Sequence, residues 1–144
     1  MNQHGGSLIE IVGVMAIVTV MATICGPSWA GLAARQQGWS TAREIAGELR
    51  LARQMAMSGH MRVRAGIDVQ GMTLRITIAD DSMHPLRVYE WGSKSITIES
   101  MSNGSQISFY PSGRSATANT IVLRDRQYNK RVITISITGK VTLS

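Results

Sequence analysis

The sequence has 144 residues and a mass of 15.7 kDa, which is the size of one ordinary domain and too small for a multidomain enzyme. Hydrophobic residues make up 44% and charged residues 17%, which excludes a disordered or collagen-like chain and allows a sizeable core. The net charge of +6 is compatible with a polyanionic neighbour, and solubility alone is the alternative explanation of the same charge. With a single cysteine, Cys25, the sequence cannot form an internal disulfide.

The N-terminal part of the sequence is almost purely apolar. Residues 11–34 carry no charged side chain, and about 20 apolar residues are enough to cross a ~30 Å hydrocarbon layer. We therefore predict a membrane helix here. A cleaved secretory signal is the alternative, but such signals open with Lys or Arg, and residues 1–7 contain neither.

One carboxylate, Glu10, lies at the start of this apolar stretch. An ionised side chain in lipid costs about 2.5–3.5 kcal/mol or more, so Glu10 requires a partner. Cleavage between Gly5 and Gly6 would create an amino group four residues before Glu10, about 6 Å away along a helix. The carboxylate of one chain can then pair with the terminal ammonium of a neighbouring chain, which would set the register of a polymer.

The segment from Gly5 to Glu10, Gly-Gly-Ser-Leu-Ile-Glu, resembles the class III signal of type IV prepilins. Pro27 lies 21 residues after Gly6, where many type IV pilins carry a helix-bending proline, and its Pro-Ser-Trp is similar to the family's Pro-Ser-Tyr. The resemblance implies that a membrane peptidase cuts after Gly5 and methylates Gly6, and that Glu10 and Pro27 serve assembly. Gly6 stands where the family usually has an aromatic residue.

The same resemblance divides the chain into a leader at 1–5, a transmembrane and assembly helix at 6–33 and a head domain at 34–144. It implies a single-pass protein of the bacterial inner membrane with its head in the periplasm, later packed into a filament. The positive-inside rule alone would place the head in the cytoplasm, because the leader has no cation and every cation lies at Arg35 or beyond.

Beyond the apolar stretch, the helix is predicted to become amphipathic. Apolar or small residues recur at spacings of three and four and define a face that is expected to lie on a sheet, namely Ala42, Ile45, Leu49, Ala52 and Ala56. Arg43 and Arg50 lie on another face, with Glu44 and Glu48 alongside, and are interpreted as a solvated surface. Gly59 is expected to end the helix in the left-handed conformation.

After Gly59 the apolar period changes to two residues, which predicts short antiparallel strands. Two strands form a hairpin about Gln70-Gly71, and Thr138-Gly139 is a predicted two-residue turn between the last two. The predicted strands are 63–69, 72–78, 86–91, 95–99, 106–110, 120–123, 132–137 and 140–143. One long helix followed by about eight strands predicts an α+β fold, with the helix packed on an antiparallel head.

Three segments, 51–56, 107–114 and 135–141, resemble the head domain of the GspH/FimT family. Members of that family are minor pilins of type IV pili or minor pseudopilins of type II secretion systems, which help to start filament assembly. The resemblance implies a type IV pilin-like fold and a structural role, with the prepilin peptidase and other pilins or pseudopilins as partners. Pro27 and the positive charge favour the type IV pilus, and the secretion pseudopilus is the alternative.

A basic cluster near the C-terminal end is the candidate DNA site. Four cations surround an aromatic side chain that can stack on a base, in the set Arg124, Arg126, Tyr128, Lys130 and Arg131. Some FimT-like proteins bind DNA during uptake through a Gly-Arg-x-Arg tail. The comparable tail here is Gly-Lys-Val-Thr, in which Lys140 is the one cation. A solvated hairpin end is the alternative interpretation.

Residues suited to metal binding or catalysis form no recognisable motif. The three histidines are dispersed, and the segment 80–84 is interpreted as a polar loop, because hard-metal loops need several oxygens placed in turn geometry. The sequence contains no phosphate-binding loop, nucleophile elbow or HExxH motif. We therefore predict no enzyme, no metal site and no cofactor.

Overall fold

The computed structural model describes residues 8–92, 96–125 and 128–144, apart from the side chains of residues 24–35 and 82. The chain divides into an N-terminal unit, Met1–Ala33, and a head unit, Ala34–Ser144. One helix, α1 (Leu8–Ser58), contributes residues to both units, and eight strands follow it in the described part of the chain.

The head unit contains two four-stranded sheets whose strand pairs are all antiparallel. The strands are β1 (Val63–Asp68), β2 (Thr73–Ile78), β3 (Asp81–Glu90), β4 (Ile96–Met101), β5 (Gln106–Phe109), β6 (Asn119–Asp125), β7 (Lys130–Ile135) and β8 (Val141–Leu143). The first sheet has the order β3-β2-β1-β5 and the second the order β4-β6-β7-β8, so that β8 lies at an edge. The predicted α+β class, with a helix on antiparallel strands, is confirmed.

The core of the head is formed by one face of α1 together with side chains from both sheets. The predicted helix face is fully buried, since Ala42, Ile45, Leu49, Ala52 and Ala56 are each 0% exposed. Burial of an Ile or Leu side chain contributes about 1.5–3 kcal/mol, and the three alanines let the strands approach the helix closely. This face therefore holds the helix to the sheets.

The end of α1 differs from the predicted glycine cap. The residue with a left-handed backbone is His60, with a φ of 48°. The N–H of Met61 donates to the carbonyl of Ala56 at 3.3 Å, the long bond of a Schellman motif whose left-handed position is His60. The prediction that Gly59 adopts the left-handed conformation was therefore wrong by one residue, because the bond from Met61 to Ala56 places that conformation at His60.

β3 begins earlier than predicted and includes most of the segment that was interpreted as a polar loop. Its pairing with β2 shifts register between Ile76 and Ile78, which breaks the regular alternation by which a strand is recognised in a sequence. Pro85 is accommodated because β3 is an edge strand. The loop interpretation of 81–84 was therefore wrong.

The turn between β7 and β8 is one residue longer than predicted. The N–H of Ser136 donates to the carbonyl of Lys140 at 3.0 Å, which leaves residues 137–139 in the loop. Gly139 has a φ of 78°, the left-handed conformation found in three-residue hairpin loops.

An ion pair connects α1 to β3. Arg87 donates two hydrogen bonds to Glu48, from Nε to Oε2 at 2.6 Å and from Nη2 to Oε1 at 2.8 Å. These bonds and the negative charge of Glu48 raise the pKa of Arg87 above its ordinary value. Because Glu48 is only 9% exposed, its interpretation as part of a solvated surface was wrong.

Candidate assembly and binding surfaces

The N-terminal unit presents an exposed apolar helix. Its large apolar side chains between Leu8 and Met21 are 56% to 80% exposed. The hydroxyls of Thr19 and Thr23 donate to backbone carbonyls one turn earlier, at 2.7 Å to Met15 and 2.8 Å to Val20, so these polar groups need no water. The surface is therefore suited to apolar surroundings.

Glu10 is the only acidic residue of the N-terminal unit in the part that the structure describes. It lines a shallow pocket with Ile11, Val14 and Met15, and no ion pair forms to it within the described residues. The processing residues Gly5 and Gly6 lie outside the described residues, as does the side chain of Pro27. Among the described helical residues, no stretch is both long and apolar enough to span a membrane.

The outer face of the second sheet carries part of the predicted basic cluster. Arg124 and Lys130 are opposite one another on β6 and β7. Both approach Glu99 of β4, whose Oε1 is 2.6 Å from Arg124 Nη2 and 3.6 Å from Lys130 Nζ. Tyr128 is 77% exposed, with the Arg124 guanidinium 5.8 Å from its ring centre. We call Arg124, Tyr128 and Lys130 the outer patch; Arg126 lies outside the described residues.

Arg131 belongs to a different surface, because side chains alternate along a strand and it points away from Lys130. Its guanidinium lies 4.6 Å from the ring centre of Trp39 on α1, and the guanidinium of Arg43 lies 4.7 Å from the same centre. Such cation–π contacts contribute about 0.5–1 kcal/mol each at exposed sites. The cluster that the sequence suggested as one loop is therefore split between two faces of the sheet.

A groove of about 500 Å³ adjoins this tryptophan. It is lined by residues of α1, by β8 and by the residue before β8, namely Trp39, Arg43, Arg50, Lys140, Val141, Thr142 and Leu143. Lys140, predicted as a DNA contact, is thus placed beside the helix and not in the outer patch. We call this surface the basic groove. Arg43 and Arg50 were interpreted as a solvated surface, and Trp39 was missed, although the three share one helical face at spacings of four and seven.

Asp125 positions the loop between β6 and β7. Its carboxylate accepts hydrogen bonds from the backbone N–H and the side-chain amide of Asn129, both at 2.9 Å. A Cβ atom at Gly38 would lie 3.0 Å from the Asp125 Cβ. The close approach of α1 to this loop therefore depends on a glycine at position 38.

Metal-binding geometry is not found in the described part of the chain, where no group of three or more His, Cys, Asp or Glu side chains converges. His84 Nδ1 lies 3.1 Å from Asp81 Oδ2, but these side chains are 86% and 48% exposed, and no third ligand joins them among the described residues.

A family model described as Type II transport protein GspH matches residues 41–139. The chain belongs to the GspH family. It is accordingly a type IV pilin-like protein of the minor pilin and pseudopilin class. No curated protein sequence matches the chain.

Two solved structures share the fold of this GspH-family chain. One is FimU, a type IV minor pilin of Pseudomonas aeruginosa, with a TM-score of 0.66 and 22% identity over 76% of this chain and 90% of that chain. The other is EpsH, a minor pseudopilin from the type 2 secretion system of Vibrio cholerae. Its TM-score is 0.59 at 17% identity, over 75% of this chain and 96% of that chain.

The three segments that carry the GspH-family resemblance meet in the head. Arg53 of α1 donates from Nε to the carbonyl of Gly113 at 2.9 Å. A Cβ atom at Gly139 would lie 1.9 Å from that carbonyl oxygen and 2.9 Å from Arg53 Nε. These residues therefore hold the helix and two turns together, which is a structural role.

Proposed function

We propose that the chain is a minor, FimT-like subunit of a type IV pilus that primes or caps filament assembly. The observation that carries the proposal is the exposed apolar helix with one carboxylate, Glu10, in a chain whose head is of the GspH family. Such a helix is stable in lipid or among other apolar helices. Those are the two environments of a pilin subunit before and after assembly.

In this proposal residues 6–33 cross the inner membrane and the head lies in the periplasm. The prepilin peptidase removes residues 1–5 and methylates Gly6. In the growing filament, the carboxylate of Glu10 pairs with the N-terminal amine of a neighbouring subunit. Pro27 bends the helix, because its ring removes one backbone donor.

Filament incorporation of Glu10 variants tests the proposal. Glu10→Gln keeps the shape of the side chain and removes its charge. We expect it to be processed like the wild type, as shown by the mass of the mature chain, yet to be absent from sheared filaments. Thr19→Val, a matched loss of polarity on the same helix, should be incorporated normally. Normal incorporation of Glu10→Gln would refute the assembly role.

The alternative, a minor pseudopilin of a type II secretion system, uses the same helix chemistry in a different filament. Pro27 and the net charge of +6 support the pilus. Deletion of the gene separates the two. We expect loss of pili with normal secretion, whereas a secretion defect with normal pili would assign the chain to the secretion system.

Contact with DNA during uptake is a second proposal, supported by the two cations and the exposed ring of the outer patch. Glu99 opposes it by neutralising part of the charge. With the full chain in detergent, Arg124→Gln with Lys130→Gln should weaken duplex DNA binding about tenfold and flatten its salt dependence. Glu99→Gln should strengthen binding. Equal affinity of the wild type and the double variant would exclude this role.

A further inference from the structure

The basic groove lies along the free edge of β8. Val132 and Ser144 exchange backbone hydrogen bonds of 2.8 Å and 2.9 Å. Because hydrogen-bonded pairs alternate along an antiparallel ladder, Thr142 also directs its backbone groups to β7. The backbone groups of Val141 and Leu143 therefore point to the free edge, away from β7.

This edge offers both donors and an acceptor to a ligand. The carbonyl of Val141 already accepts from Arg50, at 3.1 Å from Nη2 and 3.4 Å from Nε. Within the described residues, the N–H of Val141 and both backbone groups of Leu143 have no hydrogen-bond partner. Arg43, Arg50 and Lys140 add three cations, and no acidic side chain lines the groove in the described part of the chain.

The nature of these groups favours a peptide over a nucleic acid. The Leu143 carbonyl is free to accept a hydrogen bond, which the N–H groups of a peptide backbone can donate and the phosphates of a nucleic acid cannot. The ring of Trp39 is already engaged by the guanidinium groups of Arg43 and Arg131, at 4.7 Å and 4.6 Å from its centre, which disfavours stacking of a base. Alternate side chains of an extended peptide lie about 7 Å apart on one face, so carboxylates there can meet several cations.

We propose that the basic groove binds an extended acidic segment of a neighbouring filament subunit, which adds as a strand to the edge of β8 and places alternate carboxylates against Arg43, Arg50 and Lys140. This rests on the proposed function, because the partner is a subunit that lies beside the head in the filament. The contact joins unlike surfaces of two subunits, the type of interface that propagates into helical filaments.

Peptide binding to the full chain in detergent tests the proposal. The probe is a short peptide in which Glu alternates with Val, and its matched control replaces every Glu by Gln. The groove variant is Arg43→Gln with Lys140→Gln. The control variant, Arg75→Gln with Arg114→Gln, removes two exposed cations elsewhere on the head. Duplex and single-stranded DNA are titrated in parallel, and amide hydrogen exchange is followed at Val141 and Leu143.

We expect the Glu peptide to bind the wild type and the control variant alike, and the groove variant about tenfold more weakly, with no binding of the Gln peptide. The peptide should slow hydrogen exchange at the Val141 and Leu143 amides. Attraction between charges alone would leave these exchange rates unchanged. Equal binding by both double variants, or unchanged exchange at the two amides, would overturn the proposal. If the wild type binds DNA but not the peptide, and the groove variant loses DNA binding, the groove is assigned to nucleic acid instead. The peptide assay uses the purified chain, so its result does not depend on whether Glu10 variants enter filaments. Failure of this proposal can therefore be distinguished from failure of the proposed function.

Discussion

Replacement of Gly139 by alanine tests the contact that joins the family segments in the head. At its φ of 78°, a side chain costs about 1–2 kcal/mol, because the left-handed conformation brings Cβ against the backbone. The new Cβ would also lie 1.9 Å from the carbonyl oxygen of Gly113, so the turn must move. That movement breaks the bond from Arg53, and a hydrogen bond to a charged group is worth about 1.5–3 kcal/mol. We expect Gly139→Ala to lower the free energy of unfolding by about 2.5–5 kcal/mol in total.

Gly104 provides a matched control, because its φ is 73° and a Cβ there would meet nothing within 4 Å. Gly104→Ala should therefore cost only the backbone part, about 1–2 kcal/mol. Both variants are compared with the wild type by denaturant unfolding of the full chain in detergent, with tryptophan fluorescence as the probe. Equal losses in the two variants would show that the close approach to Gly113 contributes nothing.

Three further predictions concern the stability of the head. Arg87→Gln should destabilise it equally throughout the neutral pH range. Because the folded-state pKa of Arg87 is raised, the stabilisation from its positive charge is fully present at every pH below the unfolded-state pKa. This stabilisation is lost only when the pH rises through the still higher folded-state pKa. A double variant that also carries Glu48→Gln should recover part of the stability that Arg87→Gln loses. If the stability losses of the two single variants simply added in the double variant, the pairing of Arg87 with Glu48 would be contradicted. Asn119→Ala should cost about 1–3 kcal/mol in denaturant unfolding, because Asn119 is 1% exposed and its amide donates to the Gly104 carbonyl at 3.0 Å. His60→Gly should stabilise the head by about 1 kcal/mol in the same assay, and a loss would contradict the left-handed assignment.

The fold could be predicted where it depends on short-range periodicity. The buried face of α1 follows from apolar spacings of three and four, and the hairpin of β1 and β2 follows from alternation along the chain. β3 was misjudged at its start because irregular pairing with β2 removes the alternation. The helix end was misplaced because a single hydrogen bond, from Met61 to Ala56, selects His60 as the turning residue.

The binding surfaces were less predictable, because they depend on residues that are distant in sequence. Arg131 and Trp39 meet only when β7 packs beside α1, and no local pattern indicates that contact. The sequence also could not show that the strand pleat separates Arg131 from Lys130, or that Glu99 of another strand neutralises part of the outer patch. By contrast, the proposed role of Glu10 rests on a local feature, because one carboxylate in an apolar stretch is visible in the sequence alone.

The measurement that tests the central claim most directly is the intact mass of this chain, isolated from sheared filaments of the cells that produce it. Assembly through a freed and methylated amine predicts a chain that begins at Gly6 and is heavier than the unmodified cleavage product by CH2, because a methyl group replaces one hydrogen. A chain in those filaments that still begins at Met1 would contradict the claim, because this subunit would then have entered the filament without the freed amine at Gly6.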